Sequence, residues 1–164
     1  MKWFLGFVVV AVAGLVACYF YCVNPVMDQF QAAIDSGKPE RVAPFMDVAA
    51  LKDNTVKFTV LRYSRPDVPG SSLTGDQVKD VVDAFVTPEN VLLIMKGAKI
   101  EPGSLGGTPD ANPHPLDKHY EGPDYCDIDV YYSAIQTPDN RVTLVFARNG
   151  WFNWKLSKFV FSWN

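Results

Sequence analysis

Two carboxylates spaced two apart, Asp127 and Asp129 in the string YCDIDVYY, are the strongest invitation to chemistry in this chain of 164 residues. On a strand, residues i and i+2 share a face, so the pair could act as general acid and base or as cation ligands. The plainer expectation is that they form the solvent side of an antiparallel sheet with one wet face. The only histidines, His114 and His119, stand in HPLDKH with Asp110, Asp117 and Glu121 close by. These are metal-ligand types, yet the spacing is no zinc signature, and a structural site needs four fixed ligands. Solvated loop residues are the expectation, with no metal and no cofactor.

The remaining motifs are weaker. GSLGG, Gly103 to Gly107, lacks the lysine and the following helix that a phosphate-binding loop requires. No serine stands in a nucleophile-elbow string. Cys126 alternates with Ile128 and Val130 on the apolar side of a predicted strand, so it reads as a small buried hydrophobe rather than an activated thiolate partnered by His119. Trp151, Trp154 and Trp163 suit filled core better than the lining of an apolar-ligand cavity. No catalytic residue is therefore assigned. The expected function is a binding or accessory module. The alternative is a metal-dependent or acid/base hydrolase using the loop histidines or the strand carboxylates.

What holds such a domain in place is written at the other end. From Trp3 to Val23 the chain carries no charge, about the 20 residues a helix needs to cross ~30 Å of hydrocarbon. Trp3 stands near one end of the run and Tyr19 and Tyr21 near the other, as interfacial rings do. A cleaved signal has an apolar stretch of only about 7–15 residues, so length favours an uncut span. Lys2 before the run and Asp28 after it put the amino terminus in the cytoplasm and the domain in the periplasm. Within the run, Leu15-Val16-Ala17-Cys18 also fits a lipoprotein signal with Cys18 as the lipid acceptor. Tyr19-Phe20-Tyr21, which continues the apolar run where a polar tether belongs, argues against that. Cys18 and Cys22 share a helix face, and a Cys22–Cys126 disulfide requires the domain to fold back on the membrane.

The domain, residues 24–164, divides by periodicity. Asn24 and Pro25 open a helix that buries Val26, Phe30, Ala33 and Ile34 and stops at Gly37. Pro39 to Met46 forms a short helix, and Asp47 caps another with Val48, Leu51 and Phe58 inward, although TVKFTV (Thr55 to Val60) also alternates like a strand. Arg65 to Ser72 is a loop. Thr74 and Gln77 form a capping box before Val78, Val81, Val82 and Phe85, and Thr87-Pro88-Glu89 starts a helix closed by Gly97. Residues 98–124 are a long Pro/Gly-rich loop. A three-strand meander follows: Tyr125 to Gln136, Arg141 to Arg148 and Trp151 to Trp163. Its turns are TPDN and Asn149-Gly150, and a bulge falls near Ser157 and Lys158. Helices first and a meander last make an α+β layer.

A net charge of −3 without a basic cluster removes nucleic acid from the partners, leaving the membrane and an envelope protein or apolar ligand. The aromatic end of the span, AAIDSGKPERVAPFMDVAAL (Ala32 to Leu51) and RNGWFNWKLSKFVF (Arg148 to Phe161) resemble a bacterial family of small membrane-anchored proteins of unknown function. The resemblance rests on an acidic-then-Ala-Leu motif like Asp47 to Leu51 and a terminal strand with WKL like Trp154 to Leu156. It implies a cell-envelope location and an architecture similar to cystatin or nuclear-transport-factor-like folds. It carries no catalytic residue with it.

Overall fold

The computed structural model describes residues 2–21, 23–63, 74–98, 117–120, 124–132, 141–150 and 153–161. Helices precede strands: α1 (Lys2–Tyr21), α2 (Val23–Asp35), α3 (Pro39–Val42), a 3-10 turn (Ala43–Phe45), α4 (Val48–Tyr63), α5 (Gly75–Phe85) and α6 (Pro88–Met95), then β1 (Asp117–Tyr120), β2 (Tyr125–Tyr131), β3 (Arg141–Arg148) and β4 (Trp154–Phe161). The strands form one antiparallel sheet in the order β1-β2-β3-β4. The fold is α+β, with helices packed on a meander.

Side chains along α1 are described for residues 6–17, and all of them are exposed. Among the residues so described, no helix is long and apolar enough to cross a membrane. The helical backbone itself runs for 20 residues.

Local chemistry sets the helix ends. The Thr74 hydroxyl accepts from the Gln77 amide, and the Gln77 side chain accepts from the Thr74 amide, so two otherwise orphaned donors at the start of α5 are satisfied. The Thr87 hydroxyl does the same for Asn90 in α6, and Asp47 for Ala50 in α4. Gly37 (φ 66°) and Gly97 (φ 79°) follow α2 and α6 in the left-handed conformation that a side chain disfavours. α2 starts at Val23, so Asn24 lies inside the helix rather than capping it. TVKFTV is helical throughout, as part of α4, along whose buried side Leu51, Thr55 and Thr59 recur. Val48, expected inward, is exposed, because Asp47 rather than Val48 sits against β4, its amide donating to the Leu156 carbonyl.

One face of the sheet makes the core. Cys126, Ile128 and Val130 of β2, Val142, Leu144 and Phe146 of β3, and Trp154, Leu156, Phe159 and Phe161 of β4 are all buried. Against them the helices place Phe30, whose ring meets Phe146 edge-on at 4.9 Å, and Phe85, which lies 5.5 Å from Phe159 and 5.6 Å from Phe161. Such ring pairs contribute about 0.5–1.5 kcal/mol each beyond their burial. Cys126 is not in a disulfide. Trp154 is core, with the Arg148 guanidinium 4.6 Å above its ring; Trp151 and Trp163 lie outside the described residues.

The meander differs from expectation at three points. β1 lies inside the stretch expected to be loop, since DKHY is too short and too polar to show a period yet pairs fully with β2. The Asn149-Gly150 connection is wider than a two-residue turn: the Asn149 amide donates to the Asn153 carbonyl, and β4 starts at Trp154 rather than Trp151. β2 ends at Tyr131. The bulge is where the slipped alternation puts it. The register shifts between Val145, opposite Lys158, and Phe146, opposite Leu156, which leaves Ser157 as the extra residue. Its carbonyl, turned out of the ladder, accepts from the Asn54 side chain of α4 at 2.9 Å. Together with the Asp47 bond, this ties the middle of β4, at Leu156 and Ser157, to α4 and the residue that caps it.

Candidate functional site: the open face of the sheet

Strand alternation puts Asp127, Asp129, Arg141, Thr143, Val145, Lys158 and Val160 on the face opposite the core, in register rows. One row reads Asp129, Thr143, Val160 across β2, β3 and β4, and the next reads Asp127, Val145, Lys158. The face forms an open groove of about 640 Å³, floored by Thr143, Val145 and Ala147 and bordered by Tyr125 and Asp127 on one side and by Asn54, Ser157 and Lys158 on the other. The volume lies in the range of small-molecule sites.

At one end of the groove Asp129 is only 3% exposed. Arg141 donates to its Oδ2 at 2.7 Å and the Thr143 hydroxyl to its Oδ1 at 2.5 Å. His119 Nε2 stands 3.8 Å from Oδ2. The expectation that Asp129 is a solvated residue is thus overturned. β1 pairs along the outer side of β2, making β2 an inner strand, and the carboxylate is covered from β1 and β3 at once. A carboxylate removed from water must be paired and hydrogen-bonded, and this one is. Asp127, two residues before it, is half-buried and opposes His119 in the register.

His119 is therefore a strand residue that meets the carboxylates, not a loop residue. His114, Asp110, Glu121 and Gly103 to Gly107 lie outside the described residues. Among the described residues, no three His, Cys, Asp or Glu side chains gather in a way that could hold a metal ion. Both oxygens of Asp129 already accept hydrogen bonds, from Arg141 and from Thr143. Sequence reasoning missed Arg141, Thr143, Asn54 and Lys158. The signal for the first two was present, since RVTLVFAR carries its polar residues at alternate positions opposite the DID string.

A second charged feature closes the far end of the β2–β3 pair. Arg148, whose side chain is 4% exposed, lies over Trp154 with its Nε 3.7 Å from Asp124 Oδ1, while its amide donates to the Asp124 carbonyl. This is a structural clamp on the core side, away from the groove. Compared with protein-family models, with curated proteins and with solved structures, the chain matches none.

Proposed function

We propose that this chain is a membrane-anchored binding module of the bacterial cell envelope, held by α1 and offering the open sheet face to a ligand or partner in the periplasm. The observation that carries the reading is the exposure of α1. Phe7, Val9, Val10, Val12, Leu15 and Val16 are each at least half exposed, along a helix of 20 residues. That helix is about 30 Å long at ~1.5 Å per residue, which matches the hydrocarbon core. A contiguous apolar surface of this size is stable only when something apolar covers it. Lipid is the cover that its length and its aromatic ends fit. If Cys18 is instead the lipid acceptor, the tether is acyl chains and the domain stays on the same side. The proposal extends to a cystatin or nuclear-transport-factor-like architecture, supported only by the coarse feature of helices packed on one antiparallel sheet.

The test is fractionation of cells expressing the full chain with a carboxy-terminal reporter, followed by intact mass. The expected result is a chain that resists alkaline extraction from membranes, with a reporter active in the periplasm. An uncut mass makes α1 the anchor; loss of 17 residues with added acyl mass makes Cys18 the anchor. Recovery of the full-length chain in the soluble fraction overturns the reading.

One observation favours the second reading, a hydrolase: His119 and Asp129 approach to 3.8 Å. Alanine at His119 and Asp127, neither of which is in the core, distinguishes the two. An enzyme loses its cellular function with either change, while a binding module needing only the groove floor keeps it with His119→Ala.

A further inference from the structure

The segment between α2 and α4 presents a surface unlike the sheet face. Ala43 and Pro44 of the 3-10 turn and Val48 and Ala49 at the start of α4 are exposed, Val48 at 43%. Four such residues within seven positions form a group, where most surfaces expose apolar residues singly. The group is held in place, because Met46 within it is core, the Phe45 ring lies 5.5 Å from that of Phe30, and the Asp47 amide donates to the Leu156 carbonyl of β4. Cations stand around it. Lys38 and Arg41 are exposed, and neither enters an ion pair among the described residues. Lys155 of β4 donates to the Pro44 carbonyl, which brings a third cation to the turn from 111 positions away. The carboxylates of the same segment are Glu40, which is exposed, and Asp47, whose Oδ1 accepts from the Ala50 amide. On a chain of net charge −3 this is a basic spot around an apolar one. That combination fits a bilayer surface, whose phosphates attract Lys and Arg and whose acyl boundary takes up apolar groups.

The path of the chain brings this surface back toward the lipid. Phe30 is nine residues beyond Tyr21, the last residue of α1, and seven of those steps are helical. At ~1.5 Å per helical step and at most ~3.6 Å for each of the other two, Phe30 stands within about 18 Å of the end of the span. Beyond α2 the chain turns at Gly37 and returns, since Phe45 meets Phe30 five residues before the end of α2. Side chains on a helix lean toward its N-terminus, which for α2 is the end nearest α1. Building on the proposed anchoring, we infer that the 3-10 turn and the start of α4 dock on the bilayer surface, with Lys38, Arg41 and Lys155 on lipid phosphates and Pro44 and Val48 at the acyl boundary. The domain then has a second attachment besides its span.

The experiment uses the full chain in phosphatidylcholine nanodiscs that carry a nitroxide-headgroup lipid, with phosphatidylglycerol added stepwise. Paramagnetic relaxation of the Val48 methyls is compared with that of the Val160 methyls on the sheet face, whose exposure of 38% is similar. With phosphatidylglycerol present, Val48 should relax at least threefold faster than Val160. Each Lys or Arg near an anionic surface contributes about fivefold in binding. Lys38→Ser together with Arg41→Ser should therefore shift the phosphatidylglycerol midpoint by about tenfold or more. Both residues are exposed, so the double variant tests the surface without threatening the fold. Equal relaxation of Val48 and Val160, or an unaltered midpoint in the double variant, overturns the proposal. So does a Val48 response that follows the number of chains in each disc rather than its lipid, because the partner is then a second copy. A chain that resists alkaline extraction while Val48 relaxes no faster than Val160 sinks this inference alone and leaves the anchoring intact.

Discussion

Asp129 of β2 and Arg141 of β3 form an ion pair of 2.7 Å, the carboxylate 4% exposed and the guanidinium 37% exposed. The pair is asymmetric in water, and that decides how its two members respond to substitution. Asp129→Ala leaves the Thr143 hydroxyl, 9% exposed as a residue, without its acceptor, and it leaves Arg141 to find water. A loss of about 2–3 kcal/mol is expected, the range for hydrogen bonds to a charged group. Denaturant unfolding of the full chain in detergent measures it, and a cycle with Arg141→Met should return coupling above 1 kcal/mol, by the same range. A loss below about 0.5 kcal/mol, the scale of surface changes, removes the pair from the account of stability.

Thr55 of α4 presents the opposite case. It is 2% exposed, and its hydroxyl is buried without a hydrogen-bond partner among the described residues, while its carbonyl accepts from the Thr59 hydroxyl at 2.7 Å. Thr55→Val keeps the shape and removes the orphaned polar group. A gain of about 1 kcal/mol follows, or about 2–4 °C in melting temperature for a domain of this size. A drop in melting temperature would show that the hydroxyl has a partner in solution.

Phe30 is the ring through which α2 reaches the sheet, 4.9 Å from Phe146 and 5.5 Å from Phe45. Phe30→Ala should cost about 3–5 kcal/mol, a large part of the stability of an ordinary domain. Thermal unfolding monitored by tryptophan fluorescence is the check, and the ring is peripheral if the melting temperature stays within a degree.

Lys52 of α4 and Asp83 of α5 join their helices by an ion pair of 2.8 Å. The hydrogen bond from Lys52 holds the Asp83 carboxyl below its ordinary 3.8, with further help from the charges of Lys52 and Lys79. Because the folded value is depressed, the pair's contribution is present above pH 3.8 and disappears as the pH falls through the folded value. Both groups are solvent-accessible, so salt screens the effect. Carbon-detected titration of Asp83 should give a midpoint below 3.8 that rises in Lys52→Ala; an unmoved midpoint assigns the shift elsewhere.

Much of the fold was legible because its signals are local. The Thr74–Gln77 box, the Thr87 cap and the glycines after α2 and α6 act within four residues, and the structure has each where its string predicts. The slipped alternation that marks the bulge is equally local, and so is the buried run of Cys126, Ile128 and Val130. TVKFTV was ambiguous because its alternation suits a strand, and packing of α4 beside β4 resolved it: Leu51, Thr55 and Thr59 recur on one buried side.

The candidate site was legible only by halves. Asp127 and Asp129 are identical in sequence terms, two apart on one face of one strand. Four residues of β1, invisible as a period, cover one and give the other His119 as its opposite. By itself the sequence determined the apolar run, the helix caps, the alternation of β2 to β4 and the polar face they share, since each depends on neighbours along the chain. Tertiary structure alone decided that Asp129 is buried between Arg141 and Thr143 and that Asp127 and Lys158 stand on opposite banks of one groove. Those relations join residues 12 to 31 positions apart, and strand pairing, which no local propensity encodes, brings them together.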